Sequence, residues 1–220
     1  MSVGLALSAS LCFGVQTLAV KYGLTKDEGV TTLAAATITL TTSTAVLWTV
    51  VGVQRGLPPL PSLGLLVPFV VAGVADPGLS RLLYPAVGAA LLAASFVVVK
   101  FGFDSYPDTL VATAVTQTAA VLLVAPVAFG SQDTRRYART ATPRAVSAFL
   151  FAGVTVGIGW YAMFLALDLG RVVTVLPLVS TYPLVVVIGT YAAARERAKS
   201  PTLLAAVLAI VLGAATVHIV

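Results

Sequence analysis

Apolar residues along this 220-residue chain form long runs that are separated by short polar connections. The runs are about 18 to 25 residues long, which is the length an α-helix needs to cross roughly 30 Å of hydrocarbon. Backbone groups in lipid must form hydrogen bonds within the protein, so the runs are predicted to be helices. The pattern predicts an all-α integral membrane protein, multi-pass in the cell membrane, with about eight transmembrane helices at residues 3–22, 30–53, 63–83, 86–102, 109–129, 145–167, 172–193 and 202–220.

The third of these helices contains an internal break signal, Asp76-Pro77-Gly78. A helix that stops at residue 75 would be only about 20 Å long, which is short for a membrane span. We therefore favour one continuous helix with a kink at Pro77. The alternative is that the three residues form a turn.

The chain also repeats itself. Residues 5–24 align with 84–103 without a gap, so that Lys21-Tyr22-Gly23 falls on Lys100-Phe101-Gly102. Three predicted crossings separate the copies, so corresponding helices would run in opposite directions. Inverted repeats of this kind are typical of secondary transporters, whose site lies between the repeats. We predict two inverted-topology repeats, 1–84 with three helices and 85–220 with five.

Composition and charge agree with a membrane protein. Hydrophobic residues make up 59% of the chain, charged residues 10%, and the mean hydropathy is +1.01. The net charge of +5 is concentrated in short loops, which indicates membrane topology rather than nucleic-acid binding. With both termini outside, the predicted inside loops hold nine basic residues: Lys21, Lys26, Arg135, Arg136, Arg139, Arg144, Arg195, Arg197 and Lys199.

The residues that most enzymes need are scarce. The chain has one histidine, His218, and one cysteine, Cys12, which together cannot make a zinc site. No nucleophile elbow and no phosphate-binding glycine loop is present. We therefore predict no metal, no cofactor and no enzymatic activity.

The last seventy residues carry a family resemblance in AGVTVGIGWYAMFLALDLGRVVTVLPLVSTYPLVVVIGTYAAARERAKSPTLLAAVLAIVLGAATV. Its features are Ala166-Leu167 at a helix end, the mid-span Pro183, Glu196 in a short turn and Gly213 in the final helix. The stretch resembles an EamA-like permease of the drug/metabolite transporter superfamily. That resemblance implies five helices per repeat, so the first repeat here is shortened by two.

Polar and aromatic residues within the predicted helices are the candidate site. Asp76 is a candidate to bind a cationic solute or a coupling proton, and the alternative is a turn or helix-cap residue. Gln16 and Ser95 are matched polar positions of the two repeats. Three aromatic residues are predicted to complete a substrate cavity, although they could simply pack between helices: Trp160, Tyr161 and Tyr182. Pro77, Pro177 and Pro183 are the predicted helix hinges.

The resulting hypothesis is a permease that moves a small organic solute across the lipid bilayer by alternating access. Two alternatives stay open at this point. The first is a shortened transporter that works only as an oligomer such as a homodimer. The second is a transport-inactive membrane interaction protein that keeps the fold.

Overall fold

The computed structural model describes residues 1–27, 29–56 and 84–194, and every regular element in these ranges is an α-helix. The helices are α1 Ser2–Lys26, α2 Thr32–Arg55, α3 Tyr84–Ser105, α4 Thr109–Gly130, α5 Gln132–Thr140, α6 Pro143–Leu169, α7 Val172–Val179 and α8 Tyr182–Ala194. The predicted helices 63–83 and 202–220 lie outside the described residues, as do Asp76 and Pro77.

Five described segments are long and apolar enough to cross a membrane: Ser2–Lys26, Thr32–Gln54, Thr109–Gly130, Pro143–Leu169 and Val172–Ala192. Each of them overlaps a predicted span. The all-α membrane character of the chain is therefore confirmed within the described ranges. The full set of eight helices in two repeats stays a prediction.

Side-chain caps explain where several helices begin. The Thr31 hydroxyl accepts a hydrogen bond from the Ala34 amide at 3.1 Å, and the Asp108 carboxylate accepts one from Val111 at 3.3 Å. At the start of α6, Thr142 caps the amide of Ala145 at 3.4 Å, and Pro143 occupies the first helical position. Each cap satisfies one of the amides that have no partner within their own helix.

The connection between α4 and α6 differs from its prediction as a plain polar loop. Residues Gln132–Thr140 form the short helix α5, capped by Ser131. Tyr137 is its one buried side chain and packs with Ala34 and Phe149. A nine-residue helix is marginal by itself, so this buried contact stabilises it. Burial raises the pKa of the Tyr137 phenol, and the nearby charge of Asp27 raises it further.

Helix α6 is central in the described bundle and packs against α1, α2 and α4. Small residues allow the helices to approach closely, as is common in membranes. A Cβ atom added to Gly153 would lie 2.7 Å from the Thr39 carbonyl oxygen of α2. One added to Gly159 would lie 3.0 Å from the Phe13 ring of α1. The glycines of α6 therefore set its distance from both neighbours.

Two polar contacts relate the ends of the helices. The Asp27 carboxylate accepts a hydrogen bond from the Thr142 amide at 3.0 Å, so the end of α1 meets the start of α6. The Lys100 ammonium donates to the carbonyls of Leu167 at 2.7 Å and Asp168 at 3.0 Å, so α3 ends beside the end of α6. The C-terminal ends of α1 and α3, which the sequence repeat aligns with each other, thus lie at opposite ends of α6. This arrangement is compatible with inverted copies.

The Lys100 contact makes a prediction about stability. Its charged donor satisfies carbonyls at the negative end of the α6 dipole. We expect Lys100→Met to lower the free energy of unfolding by about 1.5–3 kcal/mol, the range for hydrogen bonds to charged groups. Thermal unfolding of the detergent-purified protein would measure it. The matched control is Lys21→Met at the equivalent repeat position, where the side chain is exposed. Equal effects of the two substitutions would contradict this role for Lys100.

Candidate functional site

The span predicted at residues 172–193 is interrupted in its middle. Helix α7 ends at Val179 and α8 begins at Tyr182, with Ser180 and Thr181 between them. Proline lacks an amide hydrogen, so Pro183 cannot donate to the Val179 carbonyl as a helical residue would. The interruption lies between the predicted hinges Pro177 and Pro183. Interrupted membrane helices are a pointer to transporter binding sites.

Hydroxyl groups hold the interruption against α1. The Thr181 hydroxyl donates to the Leu178 carbonyl at 2.7 Å, and it lies 3.0 Å from the Ser10 hydroxyl. A hydroxyl has one hydrogen, so Ser10 is the donor of the bond to Thr181. The Ser180 hydroxyl donates to the Leu176 carbonyl at 2.8 Å. The same two carbonyls also accept backbone amides, Leu176 from Ser180 at 2.9 Å and Leu178 from Thr181 at 3.2 Å, so each hydroxyl adds a second hydrogen bond at the break.

A cavity of about 660 Å³ lies beside this interruption. Its volume is within the range of sites that hold small organic molecules. Side chains from α1, α2, α3, α4, α6 and α7 surround it, together with both ends of the break. The described lining residues are Phe13, Gln16, Thr17, Val20, Leu24, Thr32, Ala35, Ala36, Thr39, Leu40, Phe96, Val124, Val156, Trp160, Met163, Leu176, Val179, Ser180 and Tyr182.

Trp160 joins this cavity to the packed interior. Its ring meets Phe13 edge-on at 5.7 Å between centroids, and it meets Phe164 edge-on at 5.8 Å. Phe96 lies 6.2 Å away in a tilted arrangement. Edge-to-face contacts of this kind fix the orientation of a ring. The indole is therefore a rigid aromatic wall for anything bound in the cavity.

Gln16 provides the most versatile polar group of the lining. Within the described part of the chain its amide makes no hydrogen bond, and the side chain is half-buried. The hydroxyls of Thr17 and Thr39 are different, because they donate to Phe13 and Ala35 carbonyls of their own helices. Toward a solute those two hydroxyls can therefore only accept hydrogen bonds. Gln16 alone among these three groups keeps two donors and an acceptor for a solute.

The described lining carries no charged side chain. Polar amide and hydroxyl groups are set in a wall that is otherwise aliphatic and aromatic. Such a surface suits a neutral or weakly polar molecule with hydrogen-bonding groups and an apolar body, because burying an unpaired ion there would be costly. Chemically the arrangement can bind and orient a solute.

The structure brings three predicted site residues together at this cavity: Gln16, Trp160 and Tyr182. Ser95 is buried and Tyr161 is half-buried against the main apolar cluster, and neither lines the cavity. Asp76 lies outside the described residues, so its role stays a prediction. Pro177 and Pro183 flank the interruption rather than the lining.

The sequence-based prediction missed Phe13, Thr39 and Ser180 as lining residues. Phe13 precedes Gln16 by three positions, which places both on one helical face, so a helical projection would have found it. Ser180 stands three residues before Pro183, where a proline weakens the helix and frees polar groups. Thr39 carries no local signal, since its position depends on how α2 packs against α6.

Comparison with known proteins adds the family. The sequence matches the EamA-like transporter family over residues 79–217, which is more than half of the chain. No curated protein and no solved structure matches the chain.

Proposed function

Because the chain belongs to the EamA-like transporter family of the drug/metabolite transporter superfamily, we propose that it moves a small organic solute across the cell membrane by alternating access. It is a multi-pass membrane protein, and its family consists of transporters rather than enzymes. The solute class and the mechanism of movement are the proposal.

The observation that supports solute binding is the cavity with its unpaired amide. A volume of about 660 Å³ holds a small organic molecule, and Gln16 offers it donors and an acceptor. The Trp160 ring, fixed by three neighbouring aromatic rings, gives the solute an aromatic surface. The proposed substrate is therefore neutral or weakly polar, with a planar or apolar portion.

The interrupted span supports alternating access. Ser180 and Thr181 divide the span into two short helices, and Pro177 lies within the first of them. At the break the regular i→i−4 bonds are replaced by the shorter-range bonds Thr181 to Leu178 and Leu184 to Thr181, so α8 can bend relative to α7 more easily than within a continuous helix. The Ser10–Thr181 bond joins this region to α1, so movement of α8 would be transmitted to the helix that carries Gln16.

Solute binding is tested first by thermal shift. Purified protein is screened against neutral metabolites, amino acids, organic cations, sugars and nucleotides. A ligand present at 100 times its dissociation constant adds about 2.7 kcal/mol of stability. Any hit is then assayed for uptake into proteoliposomes, with protein-free vesicles as the control. Binding with uptake supports the proposal, whereas folded protein without any hit would favour the transport-inactive alternative.

Alternating access makes a separate prediction about accessibility. Cys12 is the single cysteine, so Cys12→Ser gives a background for one introduced thiol. In that background Ser180→Cys is expected to react with a membrane-impermeant maleimide from both sides of the membrane. Reaction from each side should slow when a screened ligand is added.

A lipid-facing position supplies the control for this labelling. Ile158→Cys lies on α6, where the side chain is 51% exposed on the outside of the bundle. It should react slowly from either side. Reaction of Ser180→Cys from one side only, with or without ligand, would contradict alternating access while leaving solute binding intact. A homodimer also stays a prediction, and cross-linking of the purified protein tests it.

A further inference from the structure

The short helix α5 presents a cluster of arginines at one end of the bundle. Arg135, Arg136 and Arg139 line a surface cleft of about 390 Å³ together with Gln132 and Thr140. All three arginine side chains are exposed. Among the described residues no carboxylate forms an ion pair with them, and Asp133 on the same helix does not line the cleft. The cleft is therefore a concave, positively charged surface without a partner in the described chain.

The position of α5 places this cleft at the membrane surface. The helix connects α4 and α6, which are both membrane spans, so it lies where the chain leaves the bilayer. Buried Tyr137 and contacts with α2 and α4 fix the orientation of α5. The guanidinium of Arg135 donates to the Gly130 carbonyl at 3.5 Å, which holds it close to the end of α4. Rotation of α5 about its axis would expose the buried Tyr137 ring, so this contact fixes the side of the helix from which the arginines project.

Exposed apolar side chains lie on α4, the helix whose end Arg135 contacts at the Gly130 carbonyl. On the last turns of α4, Val127 is 64% exposed and Phe129 is 70% exposed. Two turns earlier Leu122 is 69% exposed. In a membrane span these side chains face acyl chains. The outer surface thus combines the cationic cleft on α5 with an apolar strip on the preceding helix α4.

We propose that this surface is a binding site for an anionic phospholipid. The phosphate headgroup would lie in the cleft between Arg135, Arg136 and Arg139, and an acyl chain would lie along the exposed face of α4. Arginine suits a phosphate because its planar fork donates two parallel hydrogen bonds. The occupant is a lipid rather than a soluble phosphate because the apolar strip continues from the cleft into the hydrocarbon. This site is separate from the solute cavity and shares no described residue with it.

The test uses the full chain in detergent and measures binding of phosphatidylglycerol and phosphatidylcholine by native mass spectrometry. We expect preferential binding of phosphatidylglycerol, weakened as ionic strength rises. In the variant with Arg135→Gln, Arg136→Gln and Arg139→Gln, the preference for phosphatidylglycerol over phosphatidylcholine is expected to fall by about 100-fold. The reason is that each basic residue near a lipid surface adds to the attraction. Glutamine keeps the length and the helix propensity of the position.

The control variant removes the same charge elsewhere. Lys21→Gln, Lys26→Gln and Arg171→Gln alter three other exposed basic residues and should keep most of the preference. An equal loss in both variants would overturn the proposal, because net charge rather than the cleft would then set lipid binding. Displacement of the lipid by millimolar glycerol phosphate would also overturn it, since it would show an anion site without lipid specificity. A normal circular dichroism spectrum of each variant confirms that the comparison concerns folded protein.

Discussion

Replacing Gly153 by valine is expected to destabilise the bundle by about 3 kcal/mol or more, at the upper end of the range for overpacked interiors. The first added carbon would lie 2.5 Å from Thr42 Cβ and 2.7 Å from the Thr39 carbonyl oxygen. A backbone carbonyl cannot rotate aside as a flexible side chain can, so α2 and α6 must separate. Both helices line the solute cavity, so the separation would also alter the site.

The matched control for this prediction is Gly52→Val. Gly52 lies within α2, and no described atom is within 4 Å of a Cβ added there. The two variants have the same change in side chain and in helix propensity, so they differ only in packing. Unfolding of each purified protein would be followed by circular dichroism in increasing denaturant. If Gly153→Val and Gly52→Val unfold at the same denaturant concentration, the close contact between α2 and α6 is contradicted.

Replacing Gln16 by leucine is expected to weaken solute binding by about 10- to 100-fold, because two or three hydrogen bonds of about 0.5–1.5 kcal/mol each would be lost. Leucine has a similar volume, and the glutamine amide makes no bond to the described chain, so folding should be preserved. The affinity of a ligand from the thermal-shift screen would be measured by titration. Uptake into proteoliposomes should fall in parallel at low solute concentration.

Gln117→Leu is the matched control for the site. Gln117 lies in α4, is 2% exposed and does not line the cavity. Its amide oxygen is buried without a hydrogen-bond partner in the described chain. Removing it should leave solute affinity unchanged and at least preserve stability. A ligand that binds Gln16→Leu and the native protein equally well would show that the site lies elsewhere, although the family assignment would stand.

Sequence patterns predicted most of the described helices because the bilayer restricts what a chain can do. A run of apolar residues in lipid must satisfy its own backbone groups, so length and hydropathy identify the helix. Caps such as Asp108 and Thr142 are local signals as well, since each satisfies an amide three residues ahead. The helix α5 was missed because its sequence is polar apart from Tyr137 and Ala138, and its formation depends on burial of the Tyr137 ring against α2 and α6.

The candidate site was predicted less completely for a related reason. Gln16 and Trp160 stood out as polar or aromatic groups within apolar runs, and both line the cavity. Ser95 has the same character but faces the packed interior. Neighbouring positions on a helix point in directions about 100° apart, and the sequence does not show which of them faces the cavity. The position of Asp76 relative to this cavity lies outside the described residues and stays a prediction.

The sequence by itself determined that the chain is a multi-pass helical membrane protein, where most described helices lie, and the resemblance to a transporter family that the family match supports. These properties follow from hydrophobic length and local motifs, which act within a single segment. Only the tertiary structure decided that the interrupted span meets α1 through Ser10, that Lys100 caps α6, and that the arginines of α5 surround one cleft. Each of these contacts joins residues from different helices, and helix packing fixes their distance and orientation.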